Sequence, residues 1–412
     1  MEAVKVSLFY LIAYWLLLPL GYIQSRRGLK DYVEDPGYRP RVAVVVPCRN
    51  KEDTIYEVLE SIVNQSYRPS KIIVTDDHST DGSLKEILRF ADRYFGGVSC
   101  ERVSDNKEVC YQNRKFNGLD FILIKHTREN LGKQRSLNEM IDMIDEGEYE
   151  LTATVDADTK LDRDWIRNSL KYHRDPNVAA TYGWVRIWKE KSYGNLVHMR
   201  RFEYSSLLPL YREVTNPRSH WTMSGSNILY KTSILKKFPI PEHMKENAAE
   251  DMLHTIILQA KGYKIIFVRD SMAYSKEELD LSGFVKQSSR WFKGGWYTLL
   301  NYVLKDREIY KNLTTLHKLQ IGAFFTFPYY MAILNFTLVE GIITKEWGYL
   351  VWPILDFSAY LILTLIGYKK YSKYSFDERL YFIKNYPIYY IERYLALIPY
   401  FIGLKEYLKL KR

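Results

Sequence analysis

The sequence predicts an α/β domain built on a largely parallel sheet and flanked by membrane-spanning helices. Three observations carry that prediction. Short β-branched runs alternate with helical spacings from Arg41 onward, acidic residues collect where those runs end, and long apolar stretches lie on either side of this region. With 26% of its 412 residues charged and a mean hydropathy of −0.30, most of the chain must fold in water.

The first element, "VSLFYLIAYWLLLPLGYI", runs from Val6 to Ile23 without a charge and is near the length that crosses a hydrocarbon core. The cationic "QSRRGLK" follows it and no small-residue cleavage site is present, so residues 1–25 read as an uncleaved anchor rather than a signal peptide. The positive-inside rule then places the N-terminus outside and the polar region in the cytoplasm.

Residues 40–300 hold the α/β region. "RVAVVVP" suits a strand buried on both faces, and Ile55, Val58, Leu59, Ile62 and Val63 follow at helical spacing. "KIIVTDD" repeats the strand signal, and Leu84, Ile87, Leu88 and Ala91 repeat the helix. "FILI", a helix marked by Leu137, Met140, Ile141 and Ile144, and "ELTATVDADTKLD" continue the alternation. Crossover helices of this kind bring ligands to the carboxyl ends of the strands, where Asp76, Asp77, Asp156 and Asp158 fall. The segment between Phe95 and Asp120 loses the pattern and reads as a surface insertion, and residues 178–268 mix short strands with helices.

Residues 301–320 read as an interfacial segment, followed by a C-terminal membrane region, 321–412. It offers two spans, about 321–342 and 347–368, and a segment, 386–403, that suits the membrane surface as well as a span. Asp356, in the middle of the second span, implies an inward-facing or partnered carboxyl. The expected location is therefore a multi-pass protein of the cell membrane with its large domain in the cytoplasm.

A net charge of +10 and a pI near 9.1 suit anionic lipid headgroups or phosphorylated substrates. No basic arm or motif points to nucleic acid, which is excluded as a partner. Three cysteines rule out a disulfide framework and make no zinc site. Cys100 and Cys110, in one polar segment, are expected as free thiols, with pairing between them the alternative.

Asp156 and Asp158 lie one residue apart, hence on one side of an extended chain, where they suit a metal site. Chance supplies about one such pair in a chain of this composition, and Asp158 or Thr159 capping the helix "LDRDWIRNSL" explains them equally. A second pair, Asp162 and Asp164, is expected on a solvated helix. Asp76 and Asp77 sit in "VTDDHSTDGS", which is either a hydrogen-bonded turn or a pair of acceptors for a nucleotide. Lys133, beside Gly132 at a helix start, places an ammonium and free backbone N–H groups where phosphate binds. Glu250 and Asp251 open an amphipathic helix, favoured there by its dipole, and Asp251 kept ionised is a candidate general base.

"QSSRW" is more specific, because Q-x-x-R-W is expected only about 0.01 times by chance in this composition. Gln287, Arg290 and Trp291 fall on one helical face and offer an amide, a guanidinium for a diphosphate and an indole for a sugar ring. A helix at the membrane interface with Trp anchors is the alternative.

In this order "VVVPCRN", "VTDDHSTDGS", "NLGKQRSLN", "VDADT", "AAED" and "QSSRW" resemble the membrane-bound glycosyltransferases of family 2, which include cellulose, chitin and hyaluronan synthases. The resemblance covers about Arg41 to Trp296. It implies a cytosolic GT-A domain that moves a sugar, with inversion, from a nucleotide-sugar, most often a UDP-sugar, using Mg²⁺ or Mn²⁺. It assigns Asp76, Asp77, Lys133, Asp156, Gln287, Arg290 and Trp291 to the nucleotide-sugar, Asp158 to the metal and Asp251 to the base. Ser224, Gly225, Glu250 and Trp291 are assigned to the acceptor, Ser224 and Gly225 from "WTMSGSNILYK", Trp221 to Lys231. The acceptor is a growing polysaccharide or oligosaccharide, or alternatively a lipid such as a polyprenyl phosphate or glycolipid that receives one sugar. Lys51 departs from the family pattern, which commonly has an acid there.

Overall fold

The structure, a computed structural model, describes residues 32–188, 195–242, 249–276, 280–371, 384–387 and 395–410, together with Gly21, Ser25 and Leu29. The rest of the expected anchor, and residues 388–394 of the doubtful segment, lie outside the described residues. Two compact units form, one from Asp31–Lys189 with Thr222–Glu277, the other from Met1–Lys30, Glu190–Trp221 and Glu278–Arg412.

The first unit is built on a ten-stranded sheet: β1 Val42–Cys48, β2 Lys71–Asp76, β3 Val98–Ser104, β4 Lys107–Gln112, β5 Asp120–His126, β6 Leu151–Val155, β7 Thr159–Leu161, β8 Val178–Ile187, β9 Asn227–Lys231 and β10 Lys264–Ser275. In space they run β3-β4-β5-β2-β1-β6-β9-β8-β10-β7. The centre β5-β2-β1-β6 is parallel, as the alternation of strand and helix requires. Outside it the sheet is mixed. β9 enters antiparallel between β6 and β8, β7 is antiparallel to β10, and β3 and β4 add an antiparallel hairpin.

β-Branched residues fill β1, where Val42 through Val46 are fully buried between two helical layers. The helices are α1 Ile55–Val63, α2 Ser83–Phe95, α3 Lys133–Asp142, α4 Trp165–Leu170, α5 Thr232–Lys237 and α6 Glu250–Ala260. Val58, Leu59 and Ile62 of α1 and Ile87 and Phe90 of α2 pack on the Val42, Val44, Val46 face. Gly183 in β8 has no room for a side chain, since a Cβ there would lie 2.1 Å from the Ser271 carbonyl.

β7 intervenes between Asp158 and α4, whose N-cap position is held by Asp164. Neither Asp158 nor Thr159 caps that helix, which removes the local explanation for the D-x-D pair. Asp162 and Asp164 precede the helix rather than ride on it, and Asp164 accepts from the Ser66 hydroxyl at 2.5 Å. Cys100 and Cys110 are paired, against the expectation of free thiols. They are directly opposite partners of β3 and β4, with Cα atoms 3.9 Å apart, a register that free cysteines in one polar segment do not reveal.

In the second unit two helices, Thr315–Thr344 and Val351–Tyr371, are long and apolar enough to cross a membrane, and among the described residues only these two segments are. Asp356 is buried and accepts from the Tyr330 hydroxyl, the kind of partner a carboxyl in an apolar helix needs. Helix Leu397–Lys409 packs on helix Leu281–Thr298 through Trp296, Tyr400 and Tyr407, and its Lys405, Glu406 and Lys409 stand in its last turns.

Candidate active site

Each acidic signal of the first unit lands at a strand or helix end. Asp156 follows β6, and Asp251 stands in the first turn of α6. The ammonium of Lys133, at the start of α3, lies 2.8 Å from Asp156 and 3.1 Å from Glu250, so one cation joins the D-x-D segment to the helix that carries Asp251. Burial opposes that charge, but Asp156 and Glu250 more than offset it and hold Lys133 above the ordinary lysine value.

Asp251 accepts the Gly225 N–H on Oδ2 at 3.0 Å and the Met252 N–H on Oδ1 at 2.8 Å. Its backbone carbonyl accepts from the Thr255 hydroxyl, which in turn accepts the Met223 N–H. These bonds fix both the carboxylate and the Met223–Ser226 segment. Burial, reinforced by the neighbouring Glu250 charge, pushes the Asp251 carboxyl up to about 7 despite Lys133. A carboxyl poised there accepts a proton near neutrality. The Ser224 hydroxyl is within 3.0 Å of Ser226 Oγ in the same turn.

The loop after β1 is tied to the loop after β2. Asn50, at φ 52°, accepts the Thr80 N–H and donates its own to Ser79, while the Lys51 N–H meets Ser83 Oγ at 2.6 Å. Thr54 donates to the Ala157 carbonyl at 2.9 Å, which binds this loop to the D-x-D turn. The result sets the Lys51 ammonium 2.7 Å from Asp158 Oδ2.

Asp76 and Asp77, adjacent in sequence, differ in environment. Asp76 is buried, and its Oδ1 has no hydrogen-bond partner. Burial pushes its carboxyl up, opposed by Ser79. Asp77 accepts from His126 at 2.6 Å and from the N–H groups of Leu131 and Gly132 at 2.7 and 2.8 Å. Burial works against its ionisation, but these donors outweigh it and hold Asp77 below the ordinary carboxylate value. The Leu131 and Gly132 N–H groups, just before the helix that Lys133 opens, are thus taken by Asp77. Sequence reasoning passes over His126 and Glu139, because a lone His after "FILIK" and a Glu inside a helix have no pattern to mark them.

Gln287, Arg290 and Trp291 lie in helix Leu281–Thr298 of the other unit, which Asp280 caps by accepting the Gly283 N–H at 2.7 Å. Arg290 and Trp291 are exposed, and Gln287 Oε1 is buried without a hydrogen-bond partner. The Arg200 guanidinium lies 5.6 Å from the centre of the Trp291 ring.

Among the described residues, no three His, Cys, Asp or Glu gather into a metal cage. Asp158 and Asp156 offer oxygen donors alone, a set that suits Mg²⁺ or Mn²⁺ when a diphosphate contributes further oxygens.

Known proteins match this chain in two family models, glycosyl transferase family 2 over residues 43–238 and glycosyl transferase family group 2 over residues 151–371, the latter more than half of the chain. The poly-beta-1,6-N-acetyl-D-glucosamine synthase of Staphylococcus aureus strain MSSA476 is 27% identical over 312 residues, 75% of this chain and 63% of that protein. That of Staphylococcus epidermidis is 24% identical over 365 residues, 88% and 74% of the two chains. The chain thus spans about 63% of the length of the S. aureus relatives. A mannosyltransferase from Pyrobaculum calidifontis, solved with GDP-mannose and Mn²⁺, superposes with a TM-score of 0.54 at 19% identity over 99% of both chains, which shows a shared fold. From the family match and the α/β fold it accompanies, the chain belongs to glycosyltransferase family 2 and is a glycosyltransferase.

Proposed function

We propose that the protein moves a sugar from a UDP-sugar to a hydroxyl of a growing glycan, with inversion, at the cytoplasmic face of a membrane. The carrying observation is Asp251, held by two backbone N–H groups at the start of α6, poised near neutrality and joined through Glu250 and Lys133 to Asp156. In this reading Asp251 takes the proton of the acceptor hydroxyl as its oxygen attacks, and one in-line displacement inverts the anomeric centre. Asp76, with an unsatisfied buried oxygen, accepts from the nucleotide. Asp77 acts on the donor through the loop it holds, and Lys133 and Asp156 set the donor's phosphates and ribose. Ser224, Gly225 and Glu250 line the acceptor, while Gln287, Arg290 and Trp291 grip the diphosphate and acceptor sugar. A divalent cation, Mg²⁺ or Mn²⁺, held by Asp158, would neutralise charge on the leaving diphosphate. The bound Mn²⁺ of the P. calidifontis mannosyltransferase supports that choice, and the names of the staphylococcal relatives support N-acetylglucosamine as the first sugar to test.

Helices Thr315–Thr344 and Val351–Tyr371 support a multi-pass membrane location and contact with membrane lipids. The same apolar pair favours a second reading, a single transfer to a polyprenyl phosphate or glycolipid. A nucleotide-sugar turnover screen of the detergent-solubilised protein, with and without Mn²⁺, tests the chemistry, and the product separates polymer from single-sugar lipid. No turnover with any nucleotide-sugar would sink the proposal.

A further inference from the structure

The β3–β4 hairpin interrupts the strand and helix alternation, and β3 is exposed along almost its whole length. Its turn nevertheless reaches the segment that ends at Lys133. Asn106 Oδ1 accepts the N–H groups of Arg128 and Glu129 at 2.7 and 2.9 Å, and its Nδ2 donates to the Glu129 carbonyl at 3.1 Å. Its backbone carbonyl accepts the Thr127 N–H at 3.1 Å, and Asp105 pairs with the Arg128 guanidinium at 2.8 Å. One short turn thus holds the beginning of the loop.

The end of the loop is held by a second route from the same turn. Lys107 lies 2.8 Å from Glu139, Glu139 lies 2.9 Å from His126 Nε2, and His126 Nδ1 lies 2.6 Å from Asp77. Asp77 then receives the Leu131 and Gly132 N–H groups, immediately before Lys133. Both ring nitrogens of His126 face carboxylates, and only an imidazolium has two N–H donors to satisfy them. Asp77 and Glu139, with Lys107 beyond, are the charged groups that face it. The side chain of His126 is 1% exposed, so removing a member of this alternating chain leaves a buried charge without its partner. Gly132 at φ 92° follows the bend that these bonds impose.

We propose that the hairpin braces the donor loop, with Asn106, Lys107, Glu139, His126 and Asp77 as positioning residues that determine where Lys133 stands relative to Asp156 and Glu250. The inference rests on the proposed function for its consequence, a set donor affinity, but its structural claim is independent of that reading. The Cys100–Cys110 disulfide ties the two hairpin strands together at opposed positions.

The test uses the full chain in detergent and the variants Asn106→Ala, Lys107→Met and His126→Gln. Amide exchange without ligand is expected to rise by about tenfold at Arg128 and Glu129 in Asn106→Ala, and by about tenfold at Leu131 and Gly132 in His126→Gln and Lys107→Met, with β1 and β2 unchanged. Where UDP-sugar turnover is measurable, the donor KM is expected to rise about fivefold while kcat stays within about twofold, and Lys107→Arg is expected to restore it. Unchanged exchange in Asn106→Ala and Lys107→Met, both altered at the hairpin turn and so independent of whether His126→Gln folds, overturns the brace. A loosened loop with an unchanged donor KM overturns its link to the donor. Absence of all turnover in the wild type counts against the proposed function instead, and the exchange result still decides the brace.

Discussion

Gly225 donates its N–H to Asp251 Oδ2 over 3.0 Å, and a Cβ at Gly225 would stand 2.9 Å from that oxygen and 3.1 Å from the Asp251 Cβ. The residue that holds the carboxylate therefore also limits where it can be. Because the added carbon would crowd the root of the side chain as well as its tip, the carboxylate has to move. If Asp251 is the base proposed above, Gly225→Ala is expected to lower kcat by at least about tenfold, since small misplacements of a reacting group are costly, while donor affinity changes by less than about twofold. Steady-state kinetics beside nucleotide titration check this, and a wild-type kcat would contradict it.

The Asp251 carboxyl, raised to about 7 from 3.8 by burial and by Glu250, couples activity and stability to pH in opposite directions. As the base of the proposed transfer it must be ionised, so kcat/KM is expected to rise through pH 7 and to be nearly lost in Asp251→Asn. For stability, the folded chain keeps this proton up to about pH 7 whereas the unfolded chain releases it near 3.8. Between those values the folded state binds more protons, so this group's contribution to stability falls as pH rises through the window. Asp251→Asn, locked in the neutral form, is expected to raise Tm at pH 8 and to leave it nearly unchanged at pH 3.5. Thermal unfolding without metal or nucleotide measures it, and an Asn variant less stable at pH 8 would speak against a raised carboxyl.

Lys51 competes with any other cation for Asp158, since its ammonium holds Oδ2 at 2.7 Å. Both side chains are partly exposed, so the pair is worth less than about 1 kcal/mol. Lys51→Met is accordingly expected to lower the Mn²⁺ concentration for half-maximal turnover by about two- to fivefold. Asp158→Asn is expected to raise it well beyond that. A Mn²⁺ titration by electron paramagnetic resonance reports the same order without turnover, and identical titrations in wild type and Lys51→Met would refute the competition.

What the sequence made legible follows from periodicity. β1, α1, β2, α2, β6 and α6 were readable because buried strands and amphipathic helices each impose a spacing, and the ends of β2 and β6 and the start of α6 located Asp76, Asp156 and Asp251. The hairpin was not, because β3 is exposed on both faces and shows no alternation to detect. β8 and β10 were blurred for another reason: the antiparallel insertion of β9 gives the sheet an order that chain succession does not announce. His126 and Glu139 stayed hidden because their meaning lies in pairing with Asp77 and Lys107, partners brought together only by folding. Lys51 was conspicuous as a departure, and its proximity to Asp158 explains why a cation can stand there.

Gly403 brings helix Leu397–Lys409 against helix Leu281–Thr298, which carries Gln287, Arg290 and Trp291. A Cβ at Gly403 would come within 2.7 Å of the Lys293 amide nitrogen, 2.8 Å of the Phe292 Cβ and 2.9 Å of the Ser289 carbonyl oxygen. Two of these atoms are backbone, so no rotamer change relieves the contact and the helices must separate. Overpacking of this kind costs about 1–3 kcal/mol, and Gly403→Ala is expected to lower Tm by several degrees. Gly322, in helix Thr315–Thr344, is the control: nothing lies within 4 Å of its Cβ position, so Gly322→Ala is expected to be neutral or slightly stabilising through helix propensity. If the helix Leu281–Thr298 also grips the donor, Gly403→Ala loses turnover along with stability whereas Gly322→Ala keeps both. Thermal unfolding and turnover of the two variants in one detergent check this, and equal behaviour would show that the helix pair tolerates the extra carbon.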